Sequence, residues 1–175
     1  MLSAVTWTAP DRAELPDFPL VGAELPVLAG FLAWERSTLV RICAGLTGEQ
    51  LARRPLPSST LSLLGLVRHL AKVERIWFRE RAAGQPVERL WGGGDADFDD
   101  GDPRSAQADL ELYDLECGLA DEAVADLAAD DSCVVHDDTF SMRAVYVHVI
   151  AEYSRHNGHA DLLREAIDGT TGVNG

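Results

Sequence analysis

The sequence has no hydrophobic run long enough to cross a membrane. No apolar stretch approaches the ~20 residues that a transmembrane helix needs. The residues after Met1 do not form a basic segment followed by an apolar one, so we expect no signal peptide. Both absences argue against a membrane partner.

Positive charge and cysteine are also scarce. The 15 Lys and Arg residues face 29 Asp and Glu residues, which gives a formal net charge of −14. A protein that binds a nucleic-acid backbone needs surplus cations to neutralise phosphates, so we expect no nucleic-acid partner. Cys43, Cys117 and Cys133 are odd in number and widely spaced. They do not form a disulfide framework, and they favour a reducing, cytoplasmic location.

The 175 residues do contain four long segments with helical periodicity, at about 24–46, 61–83, 103–129 and 141–168. Since no credible sheet accompanies them, we predict an all-α helix bundle with long loops between the helices. We divide the chain into an N-terminal extended arm (1–23), the bundle (24–170) and a tail (171–175). Trp7, Phe18 and Leu20 are the expected anchors of the arm.

Several helix ends carry local signals, because short polar side chains satisfy the free backbone groups of a first turn and glycine ends a last turn. The expected signals are the Thr47–Gln50 capping box, Ser59 or Thr60 before the second long helix, Asp102 with Pro103 before the third, and Ser141 and Gly169 at the two ends of the fourth.

The last helix places polar side chains towards the core. Glu152 and His156 are four residues apart, so they share one helix face, and that face coincides with the apolar stripe. A carboxylate and an imidazole facing a core are costly unless something satisfies them, and a metal ion would do so. His69 is the best third ligand, because no other histidine outside the last helix falls within a predicted helix.

His148 and His159 lie at one edge of the same stripe. They are better placed to orient a ligand or to shuttle a proton than to bind the ion, and they are our candidate catalytic residues.

Two histidines and one carboxylate leave a coordination position open, as in catalytic zinc sites, but the same set also suits iron and nickel. Simpler interpretations stay open at this point. A Glu-x-x-x-His pair commonly supports a helix as an ion pair. A single histidine at a stripe edge, such as His69, is often a hydrogen-bonded core residue.

The loop from Asp95 to Gly101 superficially resembles a calcium-binding loop. Its glycine comes one place late, and the twelfth position is Ala106 rather than Glu, so the EF-hand pattern fails. We therefore expect a solvated acidic loop near the mouth of the site.

Two segments carry a family resemblance. Residues 141–169, SMRAVYVHVIAEYSRHNGHADLLREAIDG, resemble the last helix of DinB-like proteins, in particular the actinobacterial branch near mycothiol-dependent maleylpyruvate isomerase. Residues 62–78, SLLGLVRHLAKVERIWF, resemble the second helix of that branch. The likeness covers most of residues 24–170.

The resemblance implies a DinB-like four-helix bundle that holds a divalent metal through His69, Glu152 and His156. We expect zinc, with nickel or iron as alternatives. It also implies a low-molecular-weight thiol such as mycothiol as co-substrate, a small electrophile as the second substrate, and a homodimer. The expected function is a metal-dependent thiol S-transferase or isomerase. The alternative is a non-catalytic metal-binding or stress-related dimeric helix bundle.

Overall fold

The computed structural model describes residues 6–11, 15–17 and 19–171, and these are mostly helical. The α-helices are α1 (Glu24–Cys43), α2 (Gly48–Ala52), α3 (Leu63–Glu74), α4 (Ala96–Asp99), α5 (Ala106–Val124) and α6 (Met142–Asp168). α3 runs directly into a π-helical segment (Arg75–Ala82), and a 3-10 turn (Pro103–Ser105) precedes α5. The helical class predicted from periodicity is confirmed.

The long helices pack through their apolar faces. α1 lies against α6, and α3 lies against both α5 and α6. Their buried side chains form one hydrophobic core, which includes Leu32, Leu39, Leu66, Leu70, Val149 and Leu163. Burial of such faces, more than helix propensity, stabilises helices of this length. The same packing brings the middle of α3 next to the middle of α6.

A small sheet corrects the expectation that the chain contains none. β1 (Ser132–Val135) pairs antiparallel with β2 (Asp138–Ser141), with Val135 opposite Asp138. The turn between them places His136 at φ 57°, in the left-handed region. Strands of four residues are too short to show a convincing alternation, so the periodicity of the sequence does not reveal them.

Most of the predicted helix ends are confirmed. The Thr47–Gln50 capping box forms, Ser141 Oγ accepts a hydrogen bond from the Ala144 amide, and Gly169 ends α6 with φ 79°. Asp102 caps the 3-10 turn, with Pro103 at its first position.

Three helix boundaries differ from prediction. Ser62 caps α3 in place of Ser59 or Thr60, α1 ends at Cys43, and α5 ends at Val124. These differences arise at ends where several short polar or small residues follow one another, so the local signal is ambiguous.

The N-terminal arm is tied to the helices near its middle. The amide of Ala9 donates to the Leu46 carbonyl at 2.8 Å, and Trp7 packs on the core. Leu20, in contrast, is 76% exposed, so its predicted anchoring role is wrong. Phe18 and the tail from residue 172 lie outside the described residues. None of the helices in the described part is long and apolar enough to span a bilayer.

Candidate metal centre

Two capped helices present the candidate ligands. Ser62 Oγ accepts a hydrogen bond from the Gly65 amide at the start of α3, which carries His69 one turn further on. α6 carries Glu152 and His156 one turn apart, near its centre. Because both helices are rigid and in contact, the three side chains meet between them.

The three side chains form a compact group, which we call the His69 cluster (His69, Glu152 and His156). One ligand atom from each lies within 4.8 Å of the others, and this is the one such group of three or more His, Cys, Asp and Glu found in the described residues. Glu152 Oε2 is 3.5 Å from His156 Nε2 and 4.0 Å from His69 Nε2. Both separations are too long for good hydrogen bonds.

These separations suit ligands that share an ion. With bonds of ~2.1 Å, two ligands of a tetrahedral zinc ion lie ~3.4 Å apart, close to the 3.5 Å between Glu152 and His156 and somewhat less than the 4.0 Å between Glu152 and His69. A further observation supports the fit: His69 Nε2 is buried and has no hydrogen-bond partner in the described structure. A buried, unpaired ring nitrogen is costly, and a metal ion facing it would remove that cost.

The other nitrogen of His69 is occupied. Nδ1 lies 2.8 Å from Asp97 Oδ2, and the Phe98 ring stacks on the imidazole with centroids 4.4 Å apart. Burial raises the pKa of Asp97, but hydrogen bonds from His69 and Lys72 outweigh that effect and lower the pKa to about 2. Asp97 is therefore an ionised acceptor beside the His69 cluster.

His156 is held in its neutral form. Burial lowers the pKa of His156 to about 4, and the neighbouring His69 ring adds to this effect. A neutral imidazole is the form that binds a metal. The chemistry of this donor set, two imidazoles and one carboxylate, is thus ready to accept a divalent cation near neutral pH.

A comparison with known families adds to this geometry. A model of the mycothiol-S-transferase family matches residues 27–169. The chain belongs to that family. It is a DinB-like family associated with mycothiol, which agrees with the resemblance read from the sequence. The match includes every residue of the His69 cluster and also Asp97. Comparisons with curated proteins and with solved structures found no match.

The two candidate catalytic histidines of this mycothiol-S-transferase family member lie in different surroundings. His159 Nδ1 is 3.4 Å from His156 Nδ1, so its ring adjoins the His69 cluster. The His148 ring packs against Trp77 at a tilt of 41°, with ring centroids 4.0 Å apart, and burial lowers the pKa of His148. Of the two, His159 has the direct contact with a candidate ligand.

Sequence reasoning missed Asp97 and Lys72. The acidic loop does lie beside the site, as expected, but Asp97 is 1% exposed rather than solvated. Its neighbours Asp99 and Asp100 are exposed. The failed calcium pattern was the one available signal, since it drew attention to the aspartates without showing which of them faces inward.

A cavity of about 90 Å³ borders this region. One wall is the helix face that carries Lys72 and Ile76, and the other is the loop around residues 87–94. Lys72 also donates to Asp97 Oδ1 at 2.9 Å, and Asp97 contacts His69. Lys72 therefore connects the cavity wall to the His69 cluster through Asp97.

Proposed function

We propose that this protein is a divalent-metal-dependent S-transferase that joins a low-molecular-weight thiol of the mycothiol type to a small electrophile. The observation that carries the proposal is the buried, unpaired Nε2 of His69, which faces Glu152 and His156 in a member of the mycothiol-S-transferase family. In this proposal His69, Glu152 and His156 hold the ion. Zinc is the favoured metal, and nickel and iron suit the same ligands.

A divalent ion held by His69, Glu152 and His156 would supply the activation of the nucleophile. It would lower the pKa of a nearby thiol and make a thiolate available at neutral pH. Glu152 is the one carboxylate among the three proposed ligands, and the other two are imidazoles. A single carboxylate leaves the site with net positive charge when a divalent ion is present, which favours an anionic sulfur.

The transfer itself forms one bond and breaks another. The sulfur electron pair attacks the electrophilic carbon and forms a C–S bond, while the leaving group departs with its bonding pair. The thiol proton passes to a base, and His159 is the better placed of the two candidates because its ring contacts His156. An isomerase, in which the thiol adds and is later released, is the alternative reaction class.

Membership of the mycothiol-S-transferase family supports two further proposals, on the fold and on the oligomeric state. We propose that the long helices form a DinB-like four-helix bundle over residues 24–170, between an arm (1–23) and a tail (171–175). We also propose that the protein acts as a cytoplasmic homodimer. Gel filtration with light scattering tests the homodimer directly.

The experiment is elemental analysis of protein purified without a histidine tag or a chelator. We expect about one equivalent of metal in the wild type and none in His69→Ala. His136→Asn is the matched control, because His136 is an exposed histidine outside the cluster. Asparagine tolerates the left-handed backbone there.

The same three proteins are then mixed with mycothiol and monochlorobimane, and formation of the fluorescent conjugate is followed. Turnover that depends on the metal, and is lost in His69→Ala alone, supports the transferase. A wild type that neither contains nor takes up metal overturns the proposal. Metal without turnover points to the non-catalytic metal-binding module.

A further inference from the structure

The helix α4 brings one buried carboxylate against the candidate ligand His69. Asp97 is 1% exposed, and each of its carboxylate oxygens has its own basic partner. Oδ2 lies 2.8 Å from His69 Nδ1, and Oδ1 accepts a hydrogen bond from Lys72 Nζ at 2.9 Å. A carboxylate placed in this way cannot rotate without losing both contacts.

The backbone around Asp97 is fixed as well. Arg68 donates from Nε to the carbonyl of Asp97 at 3.0 Å and from Nη2 to the carbonyl of Ala96 at 3.1 Å. On α3, a Cβ at Gly65 would lie only 3.1 Å from the Phe98 carbonyl oxygen, so glycine permits the close approach of α4. α4 is thus held to the same helix face that carries His69.

This arrangement determines which ring nitrogen of His69 carries the proton. An ionised carboxylate only accepts hydrogen bonds, so Nδ1 must be the donor and Nε2 keeps its lone pair. Nε2 is also the buried nitrogen without a partner, on the side of Glu152. The lone pair therefore points to the centre of the His69 cluster.

We infer that Asp97 is a positioning residue, which selects the Nδ1–H tautomer of His69 and fixes its ring for metal binding, and that Lys72 holds Asp97 in place. The inference rests on the proposed function, in which His69 is a metal ligand. It also assigns a role to a loop that sequence reasoning regarded as solvated. Hydrogen bonds of this kind typically change metal affinity by ~10–100-fold when they are removed.

The substitution Asp97→Asn tests the role sharply. Lys72 needs an acceptor, so the amide oxygen turns towards Lys72 and the amide NH2 towards His69 Nδ1. His69 then has to accept at Nδ1, which moves its proton to Nε2 and blocks the metal-binding lone pair. Asp99→Asn is the matched control, because Asp99 lies in the same short helix but is exposed.

The first readout needs no metal. Long-range proton–nitrogen NMR spectra of metal-free, 15N-histidine-labelled protein report the tautomer of His69. We expect Nδ1–H in the wild type and in Asp99→Asn, and Nε2–H in Asp97→Asn. An Nε2–H tautomer in the wild type overturns the inference, and this result does not depend on whether any variant folds.

The second readout is zinc affinity, measured by competition with a chromophoric chelator. We expect a loss of ~10–100-fold in Asp97→Asn and less than twofold in Asp99→Asn. Adding Lys72→Met to Asp97→Asn frees the amide to turn its oxygen to His69, so part of the affinity returns. A residue that merely held the loop would show no such recovery.

The outcomes separate the two proposals. A wild type that binds no zinc overturns the proposed function. A wild type that binds zinc, together with unchanged affinity and tautomer in Asp97→Asn, overturns the role of Asp97 alone.

Discussion

Two groups of polar side chains lie between the helices, one buried and one only partly buried, and their polar atoms are satisfied in different ways. The first, which we call the Glu74 network, consists of Arg36, Glu74, Tyr113 and Tyr153. Arg36 donates to both carboxylate oxygens of Glu74 at 2.7 Å. The Tyr153 hydroxyl lies 2.8 Å from Glu74 Oε1 and 3.1 Å from the Tyr113 hydroxyl. The polar atoms of the Glu74 network thus lie within hydrogen-bond distance of one another.

The second group is the His69 cluster. It adjoins the Glu74 network in sequence, because Glu152 immediately precedes Tyr153 in α6. Its atoms stand 3.5 and 4.0 Å apart, and His69 Nε2 has no partner in the described structure. A closed network of charge-assisted hydrogen bonds stabilises a fold, whereas ligand atoms that face a common gap are typical of an ion site. This contrast supports our proposal that the Glu74 network is structural and that the His69 cluster is the ion site.

The largest effect is expected from the matched pair Glu74→Gln and Glu152→Gln in metal-free protein. Glu74→Gln leaves the buried guanidinium of Arg36 to the mostly exposed carboxylate of Asp121, so the free energy of unfolding should fall by about 3 kcal/mol. Glu152→Gln keeps the side-chain volume in an unsatisfied cluster and should cost less than about 1.5 kcal/mol. Urea denaturation measures both. Equal losses would contradict the distinction between the two groups.

The next prediction concerns added zinc. At a free concentration about 100 times its Kd, zinc should raise the free energy of unfolding of the wild type by about 2.7 kcal/mol. His156→Gln lacks one ligand, so its unfolding should hardly respond, whereas Glu74→Gln should gain as much as the wild type. Thermal and urea unfolding with and without zinc provide the test. A gain that persists in His156→Gln would remove His156 from the ligand set.

A smaller loss is expected for Tyr153→Phe. The change removes a hydroxyl from Glu74 and Tyr113, and an unsatisfied buried partner typically costs about 1–3 kcal/mol. Burial raises the pKa of Tyr153 well above its ordinary value, so the hydroxyl is a donor throughout the neutral range. Zinc affinity should stay unchanged although Glu152 is adjacent. A parallel fall in zinc affinity would show that the two groups are not independent.

The smallest effect concerns the thiols. Burial raises the pKa of Cys43 to about 12, whereas Cys133 in the hairpin is only half-buried. Iodoacetamide at pH 8 should therefore modify Cys133 well before Cys43. Because the cluster found among the described residues contains no cysteine, added zinc should leave both rates unchanged. Zinc-dependent protection of a cysteine, read by mass spectrometry, would contradict this ligand set.

Much of the helical fold could be predicted because its signals are local. The caps at Thr47, Ser141 and Gly169 involve neighbours within four residues, and the ligands of α6 share one turn. The start of α3 was misplaced because Ser59, Thr60 and Ser62 all suit a cap. The Ser59 side chain instead accepts from the Leu61 amide in a local turn.

The parts that were not predicted depend on distant contacts. Asp97 and His69 are separated by 28 residues, and nothing in the pattern of the loop shows that α4 folds against α3. The π-helical segment could not be predicted from the sequence either, because a widened turn keeps most of the apolar spacing of an α-helix. The Glu74 network was also missed, since its four side chains come from four different helices.

The single, uninterrupted α6 has a consequence for the kinetics of folding. Residues 69 and 152 are far apart along the chain, so the His69 cluster can form only after α3 and α6 have packed. Packing of distant elements carries a loop-closure cost that comes before any gain from the ion. Zinc would then stabilise the native state after the rate-limiting barrier. It should slow unfolding and leave the rate of folding nearly unchanged.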